Sequence, residues 1–418
     1  MLNTLRITLA ISVVMLISGC ATYQSEVDTA RRSLRDNPEQ TVELLKPKAE
    51  TEGRDQLVYL LDYATALQAA GRFDESARAF LQAERLADLK DYHSVSQVAA
   101  SLALSEEMVQ YKGDDFEKVL INGLNAINYL ELGQFENAVV QVRAVNNKLN
   151  TLRTDERPAF NQSPFAFYLG AVLFEADRDF DNAYILYTKA YEVAPQYPPL
   201  RADLIRAALQ AQRADQVERW KKQFPDVEIR PEWKDRKLRD QLGELVLIFQ
   251  QGWGPRKAQR PEAPRYPKLV PVGSIIRKAR VHLTNEKGDT QSIDSSLIYS
   301  IEDIAVKALE DDYSRLVASR VGGVATKAVL ADQVRQKNEA LGQLAWIAMN
   351  MADRADLRQW STLPASFQLA RKSLPTGRYK VRVEGLDLYG NHIADLIAER
   401  EIKVEARKKV FVNARSFD

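Results

Sequence analysis

Cysteine and histidine are the side chains most suited to covalent or metal chemistry. This chain holds one cysteine, Cys20, and three histidines, His93, His282 and His392. Residues so few and so far apart cannot supply a Cys/His zinc site, and a single thiol makes no intrachain disulfide. No metal and no cofactor is expected. The sequence has no nucleophile elbow, phosphate loop, paired His ligands or Cys/His pair. The nearest glycine pair, in Val321-Gly322-Gly323-Val324, lacks the spacing of a dinucleotide loop and lies in a helical context. Glu310-Asp311-Asp312 reads as a solvated face. The chain is therefore read as a non-enzyme, and attention passes to residues that bind.

Two groups qualify. Asn122, Asn125 and Asn128 recur every third residue, with Tyr129 beside them and Arg143, Asn146 and Asn147 in the following helix. Asn forms helices poorly, so each costs a few tenths of a kcal/mol. That cost suits either a hydrogen-bonding strip for a partner's peptide backbone, or solvated and capping Asn. The second group, Asp356, Arg358 and Trp360, suits either a binding patch or a structural corner with an Asp/Arg pair and a buried Trp.

Composition bounds what these groups could serve. Of 418 residues, 45% are hydrophobic and 28% charged, with 58 Lys plus Arg against 57 Asp plus Glu. This is ordinary globular chemistry, long enough for about two to four domains. A formal net charge of +1 lacks the basic footprint of a nucleic-acid binder, and no nucleic-acid partner is expected.

At the N-terminus, Arg6 precedes an apolar run, Ile7 to Ile17, too short for a membrane span, which takes about 20 residues. The run ends in Leu16-Ile17-Ser18-Gly19-Cys20, which resembles the lipobox of bacterial lipoprotein signal peptides. The resemblance implies cleavage between Gly19 and Cys20, and a diacylglycerol with palmitate-type chains on the Cys20 thiol. Removing Arg6 with the signal peptide leaves acids and bases equal in number. Two or three acyl chains make anchoring stable where one is marginal. Ala21, in place of Asp, implies sorting to the outer membrane, facing the periplasm.

From Ala30 to Phe224 the chain is rich in Ala, Leu, Glu, Gln and Arg and poor in Gly and Pro, a helical composition. Leu60-x-x-Tyr63-Ala64-x-x-Leu67-x-x-x-Gly71-Arg72-Phe73-Asp74-Glu75-Ser76 has two further partial copies, around Asn125 to Ala138 and Tyr168 to Ala190. The pattern resembles tetratricopeptide (TPR) repeats, helical hairpins that stack into a solenoid and hold protein partners in a groove. Gly71 and Gly133 are too far apart for one repeat, so an extra helix pair is expected over Tyr92 to Gln110. A helix pair at Glu26 to Asp36 and Glu39 to Lys46, stopped by Pro47, and a closing pair split near Arg213-Ala214, complete this half.

Beyond it, Glu244 to Phe249 reads as a buried strand, and Arg256 to Pro267 as a basic, Pro-rich connector, solvated or touching anionic lipid. Ala279 to Thr284 alternates like a half-buried strand, Ile301 to Arg320 reads as a helix, and Leu341 to Met351 as a buried helix or a docking surface. Alternating strands from Phe367 to Val412 describe a small antiparallel sheet or sandwich. Ala355 to Pro364 followed by Leu374-Pro375-Thr376-Gly377-Arg378-Tyr379 resembles a bacterial lipoprotein family with helical repeats in front.

The expected fold is thus α+β and multidomain. Residues 1–19 form a signal peptide, 20–29 a lipidated tether, 30–225 a TPR-like domain, 226–270 a strand and Pro-rich linker, and 271–418 a mixed helix and antiparallel β domain. The expected function is a lipid-anchored envelope adaptor gripping an envelope protein in its groove. The alternative is an accessory factor for envelope or peptidoglycan construction, binding glycan through the C-terminal domain.

Overall fold

The computed structural model describes residues 25–101, 110–154, 162–261, 267–306, 309 and 355–418. Gly19, Cys20, the Gly322-Gly323 pair and the Leu341 to Met351 run lie outside them, as does most of the expected 301–320 helix, of which residues 301–306 are helical.

Ten helices come first: α1 (residues 25–36), α2 (Pro38–Glu50), α3 (Gln56–Ala69), α4 (Phe73–Ser101), α5 (Asp115–Glu131), α6 (Phe135–Thr154), α7 (Pro164–Ala176), α8 (Phe180–Val193), α9 (Pro199–Gln210) and α10 (Ala214–Gln223). Asn37 caps α2, accepting from the Gln40 amide at 3.2 Å, and Pro38 occupies its first turn. Pro47 does not stop this helix, which runs on to Glu50. The pair expected over Tyr92 to Gln110 is also corrected, because residues 92–101 continue α4. No Gly or Pro interrupts Phe73–Ser101, so nothing ends the helix there.

One turn recurs in four hairpins. After α3, the Gly71 amide donates to the Gln68 carbonyl and the Arg72 amide to Leu67. The same pair of bonds joins Gly133 to Leu130 and Gln134 to Tyr129 after α5, Arg178 to Glu175 and Asp179 to Phe174 after α7, and Gln212 to Leu209 and Arg213 to Ala208 after α9. This is the Schellman motif, with its left-handed residue at Gly71, Gly133, Arg178 and Gln212 (φ between 56° and 74°). The helical half is a stack of TPR-like hairpins.

Two short helices, α11 (Pro231–Lys234) and α12 (Arg236–Arg239), lead to the strands: β1 (Leu242–Gln251), β2 (Arg256–Gln259), β3 (Pro267–Val270), β4 (Lys278–Asn285), β5 (Thr290–Asp294), β6 (Ser296–Ser300), β7 (Ser366–Pro375), β8 (Gly377–Leu386), β9 (His392–Val404) and β10 (Lys409–Arg415). One sheet has the order β10-β1-β7-β6, a second β5-β4-β8-β9, and β2-β3 is a separate ribbon. All pairings are antiparallel except β1 with β10, which is parallel.

β1 is the central strand that ties the halves together, so the stretch placed in a linker from sequence belongs to the fold's middle layer. Val246 and Ile248 pack into the core of the helical hairpins, whereas Leu245, Leu247 and Phe249 pack against the second sheet. A strand covered on both faces reads as a continuous apolar run rather than an alternation. β7 divides likewise: Phe367 and Leu369 face the helices, Ala370 and Leu374 the second sheet. The molecule is thus three layers: helical hairpins, the β1 sheet, and the β4 sheet. The Pro-rich connector is corrected too, since its described ends pair as the β2-β3 ribbon.

Candidate functional site

The first helices of the hairpins, α3, α5, α7 and α9, present one common side. Here the chain's own sheet and residues 355–365 fill it. Three polar seams run along this contact, following β1 from Glu244 at the α7–α9 end to Gln250 at the α3 end.

The first seam is a buried charge cluster. Ser163 caps α7, accepting from the Ala166 amide at 3.2 Å, with Pro164 next; this launches an almost wholly apolar helix whose exception is Glu175. Tyr168 and Glu175, seven residues apart, share a helix face. On α9, Asp203 and Arg206 do the same at three residues' spacing. Arg371 follows Phe367 and Leu369 on the inward face of β7 and meets them all. Its Nη2 donates to Glu175 Oε2 (2.7 Å) and Glu244 Oε2 (2.8 Å), its Nε to Glu244 Oε1 (2.9 Å), and its Nη1 to the Tyr187 hydroxyl (2.6 Å). Asp203 lies 3.4 Å from Arg371 Nη1 and 2.6 Å from Arg206 Nη2, and it accepts from the Tyr168 hydroxyl at 2.5 Å. Lys409 of β10 pairs with Glu244 and lies 3.3 Å from Glu175. Three bases thus meet three acids, with no side chain of the six more than 14% exposed. Burial pushes the Glu244 carboxyl up, but Arg371 and Lys409 outweigh it and hold the group down to about 2. Glu175 is likewise well below the ordinary range: burial opposes ionisation, and Arg206, Lys409 and Arg371 overcome it.

The second seam is formed by amides. Gln250 Nε2 donates to Gln68 Oε1 at 3.0 Å, Gln68 Nε2 to Asn128 Oδ1 at 2.7 Å, and Asn128 Nδ2 to the Ser76 hydroxyl at 2.8 Å. Beside it, Glu131 accepts from the Asn413 amide at 2.8 Å.

The third seam grips residues 358–362. Asp62 accepts from the Ser361 hydroxyl (2.9 Å), the Thr362 amide (3.0 Å) and the Thr362 hydroxyl (2.8 Å). Glu117 accepts from the Trp360 amide (2.8 Å), the Tyr111 hydroxyl (2.5 Å) and the Asp114 amide (2.9 Å). The Trp360 indole donates to Thr65 at 2.9 Å and packs 5.6 Å from the Phe80 ring. Burial pushes Asp62 up to about 6, against the hydrogen bonds from Thr362 and Ser361. It pushes Glu117 up to about 7, helped by the Asp114 charge.

Each residue singled out from sequence can now be placed. Asn122 is fully buried, donating to Glu84 (2.9 Å) and Gln141 (2.8 Å) and accepting from Lys148 (2.8 Å), so it ties α4, α5 and α6 together rather than facing a groove. Asn125 is also buried, and neither of its side-chain polar atoms has a partner among the described residues. Tyr129 packs half-buried against the helical core, Arg143 lies exposed over the Phe174 ring at 5.7 Å, and Asn146 is half-buried. These residues do not form one open strip. Asp356 and Arg358 do come together, with Arg358 donating to Asp356 (2.7 Å) and to Asp55 of the helical half (2.8 Å), while Trp360 is held separately by Glu117 and Thr65.

Glu175, Glu244, Arg371 and Asp62 were not singled out. The available signal was a charge at a core-facing position of an otherwise apolar segment. Among the described residues there is no cluster of three or more His, Cys, Asp or Glu suited to a metal, and no helix is long and apolar enough to cross a membrane.

No family model and no curated protein matches the chain. Solved structures similar to it include residues 41 onward of MamA from Desulfovibrio magneticus RS-1, at 17% identity and TM-score 0.31, covering 49% of this chain and 91% of that one. A Podosopora anserina kinesin light chain protein with nearly identical TPR-like repeats is similar at 16% identity and TM-score 0.33, covering 49% and 93%. Aspartyl phosphate phosphatase F from Bacillus subtilis is similar at 10% identity and TM-score 0.32, covering 47% and 48%. The chain is an α+β multidomain protein in which TPR-like hairpins are sealed by a mixed domain with antiparallel sheets.

Proposed function

We propose that this protein is a lipid-anchored adaptor of the bacterial envelope, held through Cys20 at the periplasmic side of the outer membrane, that recruits another protein to the outer row of its helices. The observation that carries this reading is the occupancy of the inner row. Helices α3, α5, α7 and α9 contribute Asp62, Glu117, Glu175 and Asp203 to the chain's own seams. The outer row instead presents large apolar side chains to solvent, with Val140 of α6 55% exposed and Ile185 of α8 41%. Helical repeats work through extended surfaces, and the outer row is the helical surface that the chain's own sheet leaves open. The Leu16 to Cys20 string supports the anchor.

The test places a photo-crosslinking residue at Val140, Ile185 or the buried Thr65 in protein that keeps Cys20, and identifies adducts from the membrane fraction by mass spectrometry. A discrete envelope protein captured at Val140 and Ile185 but not at Thr65 is expected. Sedimentation with purified murein and no protein adduct would move the function to glycan binding. Cys20→Ala is expected to abolish lipid labelling; labelling that survives would sink the anchor.

A further inference from the structure

We infer that the end of the molecule beside the start of α1 is a second membrane contact, a lipid-facing surface in which Leu388, Tyr389 and Ile275 enter the headgroup region of an anionic bilayer. The inference rests on the anchor proposed above and adds a surface to it.

The argument begins with three exposed side chains. Leu388 (76% exposed), Tyr389 (86%) and Ile275 (64%) are the most exposed large hydrophobics among the described residues. They do not sit on slack backbone. In the β8–β9 turn, Asp387 Oδ1 accepts from the Tyr389 and Asn391 amides, both at 2.8 Å, and its Oδ2 accepts from Asn391 Nδ2 at 2.9 Å. Gly390 closes the turn at φ +87°. At Ile275, the Asp418 carboxylate takes the amide at 2.5 Å and the next amide, of Ile276, at 2.7 Å. Two polar locks therefore fix the backbone that presents these three side chains to solvent.

Topology puts both turns at one end. β1 and β10 run parallel and finish there, β4 starts there, and β8 ends beside it, with the Arg277 amide donating to Leu386 at 2.7 Å. The first turns of α1 sit at that same end: Asp28 pairs with Arg256, and the Arg31 guanidinium lies 4.7 Å over the Trp253 ring. Trp253 in turn packs 5.3 Å from Phe417, next to Asp418. Cys20 precedes residue 25, where the helix begins, by five residues, so an extended tether keeps an acylated Cys20 within about 18 Å of that helix start. Arg32, Arg277 and Lys278 are exposed around this end, whereas Arg256 is held by Asp28. Basic and apolar groups side by side match an anionic lipid surface, where Tyr and Leu sit at the headgroup level and cations meet phosphates.

Leu388→Cys gives a unique reactive thiol when Cys20 is acylated, and Ile185→Cys gives a control on the outer helical row. Each full-length protein is purified from membranes, labelled with an environment-sensitive dye and reconstituted into phosphatidylethanolamine–phosphatidylglycerol vesicles. The dye at 388 is expected to shift to the blue and to be quenched by brominated chains, while the dye at 185 does neither. No shift at 388, or equal shifts at both positions, overturns the inference and leaves this end to a protein partner. The dye-to-protein ratio reports separately on the anchor, because two dyes per chain mean that Cys20 is free. The Cys20→Ala, Leu388→Cys protein, added to the same vesicles, then still decides whether this end contacts lipid.

Discussion

Arg371→Ala removes one cation from the six-charge cluster and leaves Glu175 and Glu244 buried with too little positive charge. Breaking a buried pair from one side costs about 3–5 kcal/mol, so the variant is expected to show a clear fall in Tm by calorimetry, with Arg371→Lys recovering part of it. The two carboxyls of the third seam act in the opposite sense. Asp62 and Glu117 have folded pKa values raised by burial, to about 6 and about 7. Their stabilising contribution is complete below their ordinary range and is lost as pH rises through those values. Raising the pH from 5 to 8 is expected to cost on the order of 3 kcal/mol in urea titrations. Below the ordinary carboxylate range the sign reverses, because protonating Glu244 and Glu175 removes their pairing. Stability should therefore peak near pH 5, and Asp62→Asn should flatten the alkaline limb. A rise in stability from pH 5 to 8 would contradict this account. None of these residues announces itself in sequence, because a charge in an apolar segment reveals its position but not its partner.

Turns are where the sequence was most legible. Gly71 and Gly133 marked two hairpins because a left-handed residue is cheapest as Gly. The other two hairpins make the same turn with Arg178 (φ 64°) and Gln212 (φ 56°), so the motif recurs without its signature residue. Arg178→Gly is expected to stabilise the chain by about 1 kcal/mol by relieving that strain. The Asp240 carboxylate lies 3.9 Å from the exposed Arg178 side chain, a surface pair whose loss offsets little. Equal or lower stability in thermal melts would show that Arg178 does more than turn the chain. The strands of the second sheet were likewise readable by alternation. β1 was readable as buried but not as central, since an apolar run does not say what covers each face.

At the scale of the molecule, the helical and β domains share one apolar core. Val246, Ile248, Trp360, Phe367 and Leu369 belong to the same apolar cluster as the hairpins, so neither half can be removed without exposing the other. A single cooperative transition is expected in denaturant, with far-ultraviolet circular dichroism and Trp fluorescence coinciding; two separated transitions would refute a common core. The contacts responsible link residues such as Asp62 and Thr362, 300 positions apart, and local patterns carry no trace of pairings that distant. The parallel pairing of β1 with β10 also bears on how the chain is made. Lys409 is 165 residues downstream of the Glu244 it pairs with, so during synthesis a ten-residue apolar strand and the inner faces of four hairpins wait uncovered until the sheet closes. Such late closure slows folding and leaves intermediates prone to aggregation, so a ribosome or export pathway handling this chain must carry a sticky, unfinished surface for most of its length.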